Sequence, residues 1–99
     1  MLNLDLQGKV AVVTGASGEL GRVIARTLAD CGARVALHYY RGKERAEGLQ
    51  KEIEATGGQA ITAQADIANR PAVFALRDAV TAAFGPADII VNNAVQQYQ

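Results

Sequence analysis

The sequence has one cysteine and no excess of charge of either sign. A lone Cys31 excludes an internal disulfide and a zinc site built from cysteines. Ten Lys and Arg against ten Asp and Glu leave no net field to draw the chain to nucleic acid or to an anionic membrane. No stretch is apolar for the roughly 18 residues that a membrane span needs, and no repeat or low-complexity tract interrupts the chain. The opening Met1-Leu2-Asn3-Leu4-Asp5 lacks the basic and long apolar regions of a leader, so a cytoplasmic setting is expected. With 99 residues, 49% of them hydrophobic and 20% charged, the composition fits one globular domain over residues 1–99 and leaves no room for a second.

What is present is a hydrophobic period that changes along the chain. Lys9 to Thr14 is a short, mostly β-branched run ending at Gly15, as for a strand buried on both faces. From about Leu20, the residues Leu20, Val23, Ile24, Thr27, Leu28 and Cys31 recur at three-four spacing and predict a helix with that face inward, stopped by Gly32. Arg34 to Tyr40 reads as a second strand. Lys43 to Thr56 reads as a charged helix with Ala46, Leu49 and Ile53 inward, weakened by Gly48 and closed by Gly57-Gly58. Gln59 to Ala65 is a third strand, after which Asn69 can cap a helix with Pro71 in its first turn and Val73, Leu76, Val80 and Phe84 inward. Ala87 to Val91 is a fourth strand. Strands alternating with helices of this length imply right-handed crossovers and an open α/β sheet.

The chemistry gathers at the first strand-to-helix turn, Thr14-Gly15-Ala16-Ser17-Gly18-Glu19-Leu20-Gly21. Glycines permit a tight turn and close approach of a phosphate to the backbone, and the free N–H groups of the following helix favour an anion. A Gly-rich turn alone can be a plain loop. Here it follows a buried-type strand, opens an amphipathic helix and leads about twenty residues on to a second strand, the setting in which such a turn holds a pyrophosphate. Asp66 and the pair Asn92-Asn93 fall at the carboxyl ends of the third and fourth strands, on the same edge of the sheet. Asp66 can also be a turn residue before Asn69, and Asn92 reads as more structural than Asn93. His38, in a strand without acidic partners in sequence, reads as a sheet residue rather than a base or ligand, and Cys31 reads as core rather than nucleophile.

These residues resemble the short-chain dehydrogenase/reductase family in register over essentially the whole chain. Thr14 to Gly21 looks like its Thr-Gly-x3-Gly-x-Gly loop, so the resemblance implies cofactor contacts from Gly15, Ser17, Gly18, Glu19, Leu20 and Gly21. Asp66-Ile67 looks like its adenine-binding pair, and Asn92-Asn93-Ala94 looks like its Asn-Asn-Ala-Gly element, with Asn93 the better candidate for a ribose contact and Ala94 beside it. Arg41 falls where many members bind a 2′-phosphate. Two residues depart from the pattern: Glu19 stands where the classical loop has Gly, and Val95 replaces the Gly that ends the second motif. Gly15, Gly18 and Gly21 also fit Thr-Gly-x2-Gly-x2-Gly, the spacing of an extended branch, many of whose members act on nucleotide sugars. Asn92-Asn93-Ala94 favours the classical branch. Glu19 brings a carboxylate toward a phosphate site, which disfavours binding unless it turns to solvent, and Arg22 is its candidate partner.

The fold implied is a Rossmann-like, doubly wound parallel sheet with four strands in the order 3-2-1-4 and three helices, the first two on one face and the third on the other. Its fourth strand would be an open edge and the face over strands one and four partly bare, so the isolated chain is expected to self-associate or to be marginally stable. The cofactor implied is NADP or NAD. No acid follows the second strand before Glu44, whereas Arg41 and Lys43 can clamp a 2′-phosphate with Arg45 a turn further out, so NADP is expected over NAD. The plain alternative is a solvated helix start, and the basic residue that NADP-binding members often carry in the loop would fall at Gly18.

The family's reaction, hydride transfer between the cofactor and a carbonyl or alcohol, uses a Ser, a Tyr and a Lys four residues after it, whose positions lie beyond Gln99. No residue here is assigned as catalytic or as a metal ligand, and the chain alone is expected to bind cofactor without turnover. Tyr39 and Lys43 make a literal Tyr-x3-Lys, but it crosses from strand into turn and is read as coincidence, and Tyr98 has no lysine after it. The chain thus reads as the cofactor-binding half of a short-chain reductase. The alternative reading is a non-catalytic nucleotide-binding or redox-sensing module. The family implies homo-oligomers of the complete protein.

Overall fold

The computed structural model describes residues 5–93. Seven elements alternate along it: β1 (Val10–Val13), α1 (Glu19–Asp30), β2 (Arg34–Tyr39), α2 (Lys43–Ala55), β3 (Gln59–Gln64), α3 (Arg70–Phe84) and β4 (Ile89–Val91). All strand pairs are parallel and the sheet runs β3-β2-β1-β4. This is the doubly wound order expected of the alternating pattern. Val13 stands between Leu37 of β2 and Val91 of β4, so β1, first in the sequence, is central in the sheet. Its four residues Val-Ala-Val-Val are all buried, as a strand covered on both faces must be.

Alternate residues of the strands feed two cores. Ala11, Val13, Val35 and Leu37 pack with Ala25 of α1 and with Leu49 and Ile53 of α2. Val10, Val12 and Ala36 pack on the other side with Leu76 and Val80 of α3. The α2 stripe Ala46, Leu49 and Ile53 is buried as its spacing predicts.

The inward face of α1 is not the one its large residues suggest. Leu20 and Val23 are 66% and 59% exposed, Thr27 is exposed, and the stripe that meets the sheet centres on Gly21 and Ala25, flanked by Ile24, Leu28 and Ala29. The reason is close approach. A Cβ on Gly21 would come within 2.3 Å of the Gly15 carbonyl and 2.8 Å of the Asn93 side chain, so only the smallest residue fits where α1 leaves the turn. That contact rotates Leu20 and Val23 outward. On α3, Val73 is also on the outer flank at 36% exposure, and Leu76 and Val80 carry the burial with Ala72 and Phe84 at the margin.

β4 is three residues long rather than five, and on its α3-facing side Ile90 is 70% exposed among the described residues. An open groove of about 410 Å³ runs between α3 and β4, walled by Val12, Ile67, Val73, Leu76, Val80 and Ile90. Among the described residues no helix is long and apolar enough to cross a membrane.

Candidate functional site

The carboxyl ends of the four parallel strands bring the turns after β1, β2 and β3 and the residues after β4 to one edge of the sheet. The turn after β1 begins at Gly15, whose φ of +65° is a left-handed conformation that a side chain would strain. Its amide donates to Nδ1 of His38 at 3.1 Å, and the next amide, of Ala16, donates to the His38 carbonyl at 2.8 Å. The Gly18 amide turns back onto the Gly15 carbonyl at 3.2 Å. Helix α1 then starts at Glu19 with Gly18 in the cap position and no side-chain cap, and Arg22 is the first residue whose amide bonds back, to the Gly18 carbonyl at 2.9 Å. The amides of Glu19, Leu20 and Gly21 therefore face out of the helix end without intrahelical acceptors.

Helix α3 shows that this end is a choice of sequence. There Asn69 Oδ1 accepts the Ala72 amide at 3.0 Å, which satisfies one orphan donor within the chain. At α1 Gly18 offers no side chain to these donors, and an uncapped helix start of this kind is where an anion is favoured.

Ser17 ties this turn to the next. Its hydroxyl donates to the Arg41 carbonyl at 2.9 Å, and Gly42 follows at φ +92° with Ser17 only 3.0 Å from where a Cβ would stand. Arg41 is exposed, its guanidinium 5.6 Å from the Tyr40 ring centre. Lys43 and Arg45 are exposed in the first turn of α2, and Arg45 lines a shallow hollow of about 480 Å³ with Ser17, Gly18 and Arg22. Cations are disfavoured by the dipole at a helix start, so this trio is better placed to meet an incoming anion than to stabilise α2.

Glu19 and Arg22 do not pair as their spacing suggests. Arg22 reaches across to α2, where Nη2 donates to Glu52 Oε1 at 2.8 Å and Nε to Oε2 at 3.3 Å, with Arg26 Nη1 4.0 Å from Oε1. The hydrogen bond from Arg22 holds the Glu52 carboxyl below its ordinary range, and the same bond raises the guanidinium. Glu19 is exposed in the first turn of α1.

After β3, Asp66 Oδ1 accepts the Ala68 amide at 2.9 Å and the Asp66 carbonyl accepts the Asn69 amide at 2.9 Å, so Asp66 shapes the turn while staying half-buried at the edge. Ile67 beside it lines the apolar groove. After β4, the Asn93 amide donates to Thr14 Oγ1 at 2.8 Å and its Nδ2 donates to the Gly15 carbonyl at 3.2 Å. Asn93 thus links the residues after β4 to the turn after β1. Asn92 is exposed, its Oδ1 3.5 Å from Thr14 Oγ1. Ala94, Val95 and Tyr98 lie outside the described residues.

The literal Tyr-x3-Lys is divided by the left-handed turn at Gly42: Tyr39 is buried at the end of β2 and Lys43 begins α2. His38 is the residue whose part the sequence did not reveal. The register sets Val13 against Leu37, and the buried His38 lies one step further, level with the start of the loop. A lone polar residue at the carboxyl end of a central strand was the available signal.

Residues 9–98 match the model of the short chain dehydrogenase family. The chain is 44% identical over 86 residues to a 3-oxoacyl-[acyl-carrier-protein] reductase of Staphylococcus aureus, covering 87% of this chain and 35% of that protein. Among solved structures, a short chain dehydrogenase from Burkholderia cenocepacia in complex with NADP superposes with a TM-score of 0.87 at 49% identity, covering 92% of this chain and 37% of that one. A Haemophilus influenza chain with bound NAD superposes with a TM-score of 0.90 at 30% identity, covering 97% and 34%. The chain spans about a third of the length of the curated relatives that it matches.

Proposed function

Because the chain belongs to the short-chain dehydrogenase family, we propose that it is the dinucleotide-binding part of a cytoplasmic oxidoreductase that transfers hydride between NADP(H) and a carbonyl or alcohol substrate. The observation that carries this reading is the uncapped start of α1, open at the strand edge and flanked by Arg41. The donor set fits a dinucleotide. The amides of Glu19, Leu20 and Gly21 would take the pyrophosphate, Asp66 and Ile67 would border the adenine, and Arg41 would take a 2′-phosphate with Lys43 and Arg45 nearby. Ser17 would hold the Arg41 turn against the loop through its hydroxyl, which donates to the Arg41 carbonyl. Asn93 would stand on the nicotinamide side, and for Ala94 a cofactor contact rests on the family resemblance alone.

A nicotinamide dinucleotide is supported by two similar chains that were solved with NADP and with NAD. The preference for NADP(H) rests on the cations after β2. When bound, the cofactor would give hydride to a carbonyl or take it from an alcohol; the described residues would bind and orient it, and Tyr39 and Lys43, divided by the Gly42 turn, are not assigned to proton transfer.

Titration of the chain with both cofactors tests the reading. Arg41→Ala should weaken NADP(H) roughly 10- to 100-fold, the loss of a charge-assisted contact, and NAD(H) by less than about threefold. Equal losses for the two would remove the basis for NADP(H), and absence of binding by either would overturn the dinucleotide site itself.

A further inference from the structure

We propose that His38 is a positioning residue for the phosphate-binding turn, holding the Gly15 amide inward as a neutral imidazole protonated at Nε2. The inference deepens the dinucleotide reading and rests on it for its binding consequence. Its geometric part stands without it.

His38 is 1% exposed and both ring nitrogens are engaged by backbone: Nδ1 lies 3.1 Å from the Gly15 nitrogen and Nε2 lies 2.8 Å from the Ala65 oxygen. The two partners assign the tautomer between them. A carbonyl oxygen can only accept, so Nε2 carries the hydrogen; an amide N–H can only donate, so Nδ1 is bare. One ring therefore spans from the start of the loop after β1 to the end of β3, immediately before Asp66. These are the two turns between which a dinucleotide's pyrophosphate and adenine would lie.

The consequence for the loop is a division among its amides. Those of Gly15 and Ala16 are both directed to His38, one to the ring and one to the carbonyl, whereas those of Glu19, Leu20 and Gly21 face outward. Gly15 sits at φ +65°, and two side chains hold it: the imidazole takes its amide and Asn93 Nδ2 donates to its carbonyl. Without the imidazole, the Gly15 amide loses its acceptor, and the base that aims the outward amides keeps only the Ala16–His38 backbone bond and the contacts on the Gly15 carbonyl.

Two variants separate positioning from packing. His38→Phe fills the space and leaves the Gly15 amide and Ala65 carbonyl without partners. His38→Asn carries an acceptor in place of Nδ1 and restores the Gly15 bond alone. In hydrogen exchange of the ligand-free chain, the Gly15 amide should be protected in the wild type and in His38→Asn, and should lose its protection in His38→Phe while Val12 and Val13 keep theirs. Imidazole nitrogen NMR shifts of the wild type should report hydrogen on Nε2 and none on Nδ1. NADP(H) affinity should fall by roughly tenfold or more in His38→Phe and stay within about threefold in His38→Asn. The proposal is overturned by hydrogen on Nδ1, by an unprotected Gly15 amide in the wild type, or by a folded Phe variant that keeps both Gly15 protection and affinity. It is equally overturned if His38→Asn, folded, behaves as His38→Phe does. A wild type that protects Gly15 but binds neither cofactor would instead refute the dinucleotide reading and leave the anchor standing.

Discussion

The two faces of the sheet use alternate residues of the same strands, yet they are covered unequally. On one, Val13, Val35 and Leu37 lie beneath two helices, and Leu49 and Ile53 close the layer. On the other, among the described residues, Val12 and Ala36 meet α3 alone, and beyond it Ile90 is 70% exposed beside an apolar groove. Stability is therefore concentrated on the face of α1 and α2. The loop edge draws on both: the turn after β1 is anchored through β2, and the Asn93 bridge comes from the thinly covered β4 side.

The strongest way to test this contrast is to remove equivalent side chains from the two faces. Ile53→Ala should cost about 2–5 kcal/mol in denaturant unfolding, because a buried side chain is lost and a cavity remains. Ile90→Ala should stay within about 0.5 kcal/mol, as expected of a solvent-exposed position. Similar losses at the two sites would mean that the groove is covered in solution, by a second copy or by another segment.

A smaller effect sharpens the contrast between helix ends. Asn69→Ala should cost roughly 1 kcal/mol through loss of the α3 cap, read from the same unfolding curves. Cofactor should leave that cost unchanged, whereas it should stabilise the chain by an amount that grows with the logarithm of its concentration above Kd.

The smallest effect belongs to the Arg22–Glu52 link between α1 and α2. The Glu52 carboxyl is depressed in the folded chain, so its contribution is present above the ordinary carboxylate range and is lost as pH falls through the lowered folded value. A melting series across acid pH should show this loss, and Glu52→Gln should show a shallower one. The pair is exposed, so salt should diminish the difference.

Much of this was legible in sequence because strands buried on both faces write themselves as β-branched runs, and Val10–Val13 is one. The strand order followed from the alternation of elements and the family resemblance. Less legible was the inward face of α1. Periodicity weighs size, and at Gly21 and Ala25 the helix is drawn in by residues too small to count in it. Pairing across elements was hidden for a similar reason. Arg22 has Glu19 three positions away, but the geometry that wins belongs to Glu52, thirty residues on. His38 and Asn93 act through backbone groups of a turn distant in sequence, and residue spacing does not reveal such partners.

The central position of β1 also has a consequence in time. One of its edges can pair as soon as β2 is made, but the other must wait for β4: the Val10 amide bonds to Asp88, 78 residues later. At roughly 5–20 residues per second of synthesis, that interval is on the order of 4–16 seconds. Throughout it, the strand that carries the glycine-rich turn has an unpaired flank, a template for the wrong neighbour. Only three residues of β4 close it. In the nascent chain, the strand that ends at the centre of the sheet thus spends this interval as an edge.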